Sequence, residues 1–314
     1  MCRHHAALLA ILGAVLLASF LAGCGLGAGP APSAIELTVT RTFGSKDMPY
    51  SGALKVHGQE TIMSLLMRNY KVATRYGGGF VQSIDGLSGG HEGGEPVDWF
   101  YYVNGVQASK GAAATNVEAG DHIWWDHHDW SQTDNVPAVV GSFPEPFLNG
   151  MEGKRLPVRI ECSSVSSFAC RTVTNRLRAL GVPAAIAQIG SGGAPESLRV
   201  LVGPWVDVAG DLDGQSIAEG PHASGVYARF SAKGTTLTLL NQDGGVARTL
   251  SAAAGLVAAT RRAEDAPVWV VTGTDEAGAT LAAKAFNQGT LHDRFAVALL
   301  AGEALSLPVV KAQT

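Results

Sequence analysis

Hydrophobic and polar positions change rhythm several times along the chain. Ile35-Glu-Leu-Thr-Val-Thr-Arg41 alternates, which is the period of a half-buried strand. Residues 43–54 are broken by Gly44, Pro49 and Gly52 and predict a turn region. Over 59–70 the spacing becomes helical. Ile62, Leu65, Leu66 and Asn69 mark one face, with Met63 and Met67 beside it. Residues 80–84 and 98–103 predict strands. Asn104-Gly105 is a two-residue hairpin signal that sends 106–109 back along the strand before it. Gly120-Asp121 predicts another turn, and 122–125 a last strand. The order is ββαβββ over about 35–130, with a lone helix on a curled sheet.

Beyond residue 155 the texture shifts toward Ala, Val and Leu. Residues 156–162 predict a strand, and 168–180 a helix stopped by Gly181-Val182-Pro183. Strands are expected at 184–189 and 198–202, and a hairpin at 227–230 and 235–240 around Lys233-Gly234. Residues 250–262 predict a helix, 268–272 an apolar strand and 276–286 a helix. This is an α/β pattern with a partly parallel sheet. The fold class expected for the whole chain is therefore α+β: a small ββαβββ domain (35–130) followed by an α/β domain (156–314). Between them 131–155, rich in Pro and Gly, reads as a linker.

The N-terminus has a different character. Residues 6–21 carry no charge and are too short for a good membrane span. They fit the hydrophobic region of a secretory signal. Leu21-Ala22-Gly23-Cys24 resembles the lipobox of bacterial lipoprotein signals. That resemblance implies that residues 1–23 are removed and that Cys24 is lipidated. Residues 24–34, small and Pro-containing, then form a flexible tether. The expected location is the extracytoplasmic side of a cell membrane, held by the N-terminal lipid.

Charge and cysteines narrow the partners. The 314-residue chain has a formal net charge of −4 and no basic stripe, which disfavours nucleic acid. Of four cysteines, Cys2 leaves with the signal and Cys24 carries lipid. Cys162 and Cys170 remain, and a disulfide between them is expected in an oxidising compartment. It would tie the end of a strand to the first turn of a helix. The alternative, a redox-active thiol pair, lacks Cys-x-x-Cys spacing.

Aromatic residues crowd the first half. Trp99, Tyr101 and Val103 share one strand face, Phe100 and Tyr102 the other, and Trp124 and Trp125 point to opposite faces. A sheet with one covering helix needs aromatics on one side only. The surplus is either a ligand face or an interface to the second half. Asp126 and His128, or His127 and Asp129, offer N and O donors to a divalent cation. Adjacent histidines leaving a strand are more often plain surface, and no metal or cofactor is assigned. Val271-Thr-Gly-Thr-Asp275 before a helix is read as a turn whose Asp275 caps the helix itself. No phosphate loop, nucleophile elbow or zinc-protease motif is present, so the sequence makes no positive case for an enzyme.

Three blocks carry a family resemblance: Gly79-Phe-Val-x-x-Ile-Asp-Gly86, Asp98-Trp-Phe-Tyr-Tyr-Val-Asn-Gly105 and Gly120-Asp-x-Ile-Trp-Trp125. Together they resemble the transcobalamin carboxy-terminal-like domain family, which in bacteria is largely of unknown function. The resemblance implies a β-grasp-type fold. The candidate ligand-binding residues, from the aromatic surplus and the motif blocks, are Phe80, Trp99, Tyr101, Tyr102, Asn104, Trp124 and Trp125. In transcobalamin the equivalent domain caps a corrinoid held against a helical barrel, and no helical barrel is visible here. The function expected first is a lipid-anchored binding protein that captures a small vitamin-like or corrinoid-like ligand for an importer. The alternatives are a non-catalytic envelope interaction protein and an exported enzyme using the α/β half.

Overall fold

The computed structural model describes residues 34–49, 52–192 and 196–310; the signal, Cys24 and the tether lie outside them. The described residues belong to one compact unit.

The alternating run at the start is β1 (Ala34–Arg41), followed by β2 (Lys46–Asp47) and β3 (Gly52–Lys55), both antiparallel to it. Helix α1 (Ile62–Asn69) starts at Thr61, whose hydroxyl accepts the Ser64 N–H while the Ser64 hydroxyl accepts the Thr61 N–H. A three-stranded sheet follows: β4 (Val72–Arg75), β5 (Phe80–Ile84) and β6 (Leu87–Ser88). Then come β7 (Gly90–Glu92), the long β8 (Glu95–Val103), β9 (Val106–Gln107) and β10 (His122–Asp129). The first large sheet runs β2-β1-β10-β8-β7, with β3 on β1 and β9 on β8. Its centre is the parallel pair β1 and β10, Leu37 opposite Ile123 and Val39 opposite Trp125. The buried face of α1 (Ile62, Met63, Leu65 and Leu66) packs with Trp99, Tyr101, Ile123 and Trp125 on one side of this sheet.

The second large sheet runs β12-β11-β13-β18-β17-β19-β20. Its members are β11 (Val158–Cys162), β12 (Ala184–Gln188), β13 (Leu198–Pro204), β17 (Gly255–Thr260), β18 (Val268–Gly273), β19 (Ala296–Leu300) and β20 (Glu303–Leu307). The first four in spatial order are parallel and the rest antiparallel, as the partly parallel expectation required. Helices α2 (Phe168–Ala179) and α3 (Glu276–Ala285) contribute to the core on one face, and Asp275 caps α3 by accepting the Gly278 N–H. Cys162 and Cys170 form a disulfide from the end of β11 to the first turn of α2. A small sheet of β14 (Ala228–Phe230), β15 (Leu237–Leu240) and β16 (Val246–Leu250) lies in the core on the other face.

The helix expected over 250–262 is absent; this segment holds β17. Gly255-Leu-Val-Ala-Ala-Thr260 is buried at every position because it sits between β18 and β19. A strand covered on both faces shows no alternation, and an Ala-rich apolar run then looks helical in sequence.

The Pro- and Gly-rich segment 131–155 is closely packed rather than free. Val136, Val139, Val140, Phe143 and Phe147 are buried. The Val139 N–H donates to the Gly105 carbonyl in the first half, and the Val140 N–H to the Phe295 carbonyl in the second. Phe143 and Phe147 join Trp269 and Phe286 in an aromatic cluster. The segment reads as a linker in sequence because its apolar residues obey no period. They serve two surfaces at once.

Candidate aromatic cleft

The site begins with a gap in strand pairing. On its outer edge β8 pairs with β7 through Glu95–Val97 and with β9 through Tyr102 and Val103. The Ala108 N–H still reaches the Tyr101 carbonyl, but residues 98–100 have no strand opposite. Peptide groups alternate direction along a strand. Tyr101 faces this edge, so Trp99, two residues away, turns its own N–H and C=O into the gap.

Around the gap lies a cleft of about 350 Å³. One wall is Trp99, Tyr101, Trp125 and Met63 on the α1 side of the sheet. Phe100, Trp130 and Asp134 contribute from the other side, and Phe80 and Val81 come from β5. Gly111 and Ala112 complete it from a loop. The walls are held in place. The Trp99 indole N–H donates to the Leu87 carbonyl at 3.0 Å. The Tyr101 hydroxyl donates to the Lys110 carbonyl at 2.5 Å and lies 3.0 Å from the Thr115 hydroxyl. Tyr101 and Trp125 stack at 4.8 Å between ring centres. The polar side chains lining the cleft besides Tyr101 and the indoles are Asp98, Gln107 and Asp134. Burial raises the Asp98 pKa above its ordinary value, outweighing the pull of His127 and Arg75 nearby. The Trp125 indole N–H is buried without a hydrogen-bond partner.

Four of the seven residues expected to bind ligand therefore meet in one place: Phe80, Trp99, Tyr101 and Trp125. The other three are elsewhere. Tyr102 and Trp124 are on the opposite face of the sheet, fully buried against Phe295 from the second half. The Trp124 N–H donates to the Thr40 hydroxyl at 2.7 Å. Asn104 occupies the hairpin turn at φ 53° and ties three segments together. Its amide donates to Asp121 at 2.8 Å and to the Gly150 carbonyl at 2.9 Å, and its carbonyl accepts the His122 N–H. Turn geometry and framework bonds account for this residue.

The acid–histidine string does not assemble as metal ligands. Asp126 accepts hydrogen bonds from the Thr40 hydroxyl and from the N–H groups of Phe43 and Gly44, and it pairs with His128 Nδ1 at 2.8 Å. Thr42, Phe43 and Gly44 all have positive φ, so their turn presents N–H groups inward to a single anion. His128 is stacked between Phe43 and Phe100. His127 lies on the other face beside Trp99 with Nε2 3.1 Å from the Ser88 carbonyl. Asp129 accepts the Ser131 N–H. Among the described residues no group of three or more His, Cys, Asp or Glu could hold a metal ion.

A second cleft of about 330 Å³ lies on the α/β half. Its charges satisfy one another: Arg199 binds Glu161, Asp211 and Asp213, and Arg262 binds Asp213. Such a closed network leaves little for a ligand.

Residues 59–129 match DUF4430, a domain of unknown function. The match falls on the stretch that carries the three motif blocks and contains most of the cleft. No curated protein sequence matches the chain. Solved structures similar to part of it include two of different kinds. One is a provisionally named metal-binding protein of Ruminococcus gnavus ATCC 29149, at 15% identity and TM-score 0.25, covering 31% of this chain and 97% of that one. The other is haptocorrin in complex with Cbi, also at 15% and 0.25, covering 31% of this chain and 25% of that one.

Sequence reasoning missed Asp98, Gln107, Trp130 and Asp134. Asp98 opens a motif block already noted and Trp130 directly follows the acid–histidine run 126–129, but the gap beside them depends on where β7 and β9 stop. Gln107 and Asp134 carried no signal, because the loops that bring them in have no periodicity.

Proposed function

We propose that this protein is an extracytoplasmic binding protein, anchored through lipid on Cys24, whose β-grasp-type half holds a small ligand in the aromatic cleft. The observation that carries the reading is the interrupted pairing of β8. It leaves the N–H and C=O of Trp99, which belong to two successive peptide groups, without a strand partner beside a pocket of ligand size. Phe80, Phe100 and Trp130, the lining aromatics that are only half-buried, supply the apolar contact, and the N–H and C=O of Trp99 supply direction. Binding is favoured over catalysis because, among the described residues, no Ser, Cys, Lys or His lines the cleft. A corrin is far larger than the cleft, so a compact one- or two-ring compound is the better fit.

Titration with neutral naphthylmethanol, followed by tryptophan fluorescence, tests the cleft. Saturable quenching is expected, weakened about tenfold or more in Trp99→Ala, which removes a wall worth on the order of 2 kcal/mol. Quenching that is linear, or unchanged in that variant, rejects the site. The anchor has its own check: a Cys24→Ser chain should be lost from the membrane fraction and fail to incorporate a labelled fatty acid.

A further inference from the structure

Building on the reading of the cleft as a small-molecule site, we infer that its ligand is an organic cation, an alkyl- or quaternary-ammonium group carrying an apolar substituent. The inference comes from the charges that line the cleft and those that do not. Among the described residues the charged side chains there are Asp98 and Asp134, and no Lys, Arg or His accompanies them. Six aromatic side chains share the wall with small and aliphatic residues, and of the six Phe80, Phe100 and Trp130 are only half-buried. Ring faces carry the negative lobe of the π quadrupole and attract a cation within about 6 Å of the ring centroid. The Trp99 carbonyl, facing the gap, adds a third negative end.

Other chemistries fit worse. An anion would meet two carboxylates with no cationic partner, an uncompensated repulsion that desolvation makes more costly. A neutral sugar needs many directional partners, and Asp98, Gln107 and Asp134 are few for that purpose. A bare metal ion would need several oxygen or nitrogen ligands, which the aromatic walls do not supply. A substituted ammonium needs what is present: a weakly hydrated charge, methyl or methylene surface to lay on indoles, and a carboxylate close by. Asp98 is suited to this pairing, since burial disfavours its ionised form and a bound cation would restore it. Arg75 and His127 act on Asp98 from outside the lining without reversing that effect. The chain's net charge of −4 favours the approach of cations over anions.

The test uses the full-length protein, isothermal titration calorimetry and two probes of one shape. Benzyltrimethylammonium carries the charge, and neopentylbenzene replaces its nitrogen by carbon. The cation should bind at least about tenfold tighter than its isostere. Asp98→Asn should cut cation affinity about five- to tenfold and leave the isostere unchanged. Equal affinity for the two probes, or indifference to Asp98→Asn, overturns the cation assignment. If naphthylmethanol still binds in that case, the cleft stands and only the ligand class is wrong. If none of the three probes binds, the cleft reading falls as well.

Discussion

Several residues with functional promise in sequence turn out to hold the framework, and their cost shows in their titration. Asn104, the Asn of the hairpin block, is bonded to Asp121. Asn149 bonds the Gly120 carbonyl and both carboxylate oxygens of Glu145, which is 6% exposed. Burial, aided by the nearby charge of Asp121, pushes Glu145 up to about 7 against its Asn149 hydrogen bonds. Its ordinary value is 4.5, so between these limits the folded chain keeps a proton that the unfolded chain has released. The contribution to stability is fully present below pH 4.5, declines as pH rises and is gone above about 7. The span corresponds to at most about 3 kcal/mol. Urea denaturation of the natural chain and Glu145→Gln across this range should show the natural chain losing stability relative to the variant by up to that amount. A difference that does not change with pH would show that folding leaves the Glu145 pKa where it stands in the unfolded chain.

At the scale of elements, the two long strands of the first half were readable because alternation and the Asn104-Gly105 turn are local signals. The helix was readable for the same reason, and the Thr61–Ser64 cap sharpens its start. What sequence could not show is contact made by two surfaces at once. β17 lost its alternation to burial on both faces, and 131–155 lost any period to packing between two sheets. The cleft was half legible. Its aromatics stood out, but the gap that makes them a site depends on where β7 and β9 stop. On the second sheet face the sequence left a ligand surface and an interface to the second half both open, and the structure shows the interface, with Trp124 against Phe295. Glycine marks that contact. A Cβ at Gly141 would stand 2.5 Å from the Trp124 ring and 2.7 Å from the Arg294 nitrogen. Gly141→Ala should therefore cost about 2–3 kcal/mol. Gly52→Ala, where a Cβ meets nothing within 4 Å, should stay within about 0.5 kcal/mol. Matched denaturation midpoints for the two variants would mean that this packing relaxes freely.

For the molecule as a whole, the question is whether the 34–130 half can exist alone. Its outward sheet face buries Phe43, Tyr102 and Trp124 in a core shared with Tyr227, Phe230 and Phe295. Phe43 meets Tyr227 and Phe295 edge-on at 5.3 and 5.2 Å, and Trp124 meets Phe295 at 5.2 Å. Each large side chain returned to water forfeits about 1.5–3 kcal/mol. The three together approach the entire margin of about 5–15 kcal/mol that keeps a typical domain folded. The fragment would also lose the Gly150 carbonyl that Asn104 binds and the Val139 N–H that caps the Gly105 carbonyl. A fragment of residues 34–130 should therefore be insoluble, or bind hydrophobic dye and melt without a cooperative transition. A fragment of residues 34–314 should unfold in one step. A sharp, independent transition of the short fragment would show that the shared core is an accessory contact between two self-sufficient domains. The cleft could then be carried by the first half alone. A broad transition ties ligand binding to the integrity of the whole chain, because β8 carries the cleft on one edge and the shared core on its outward face.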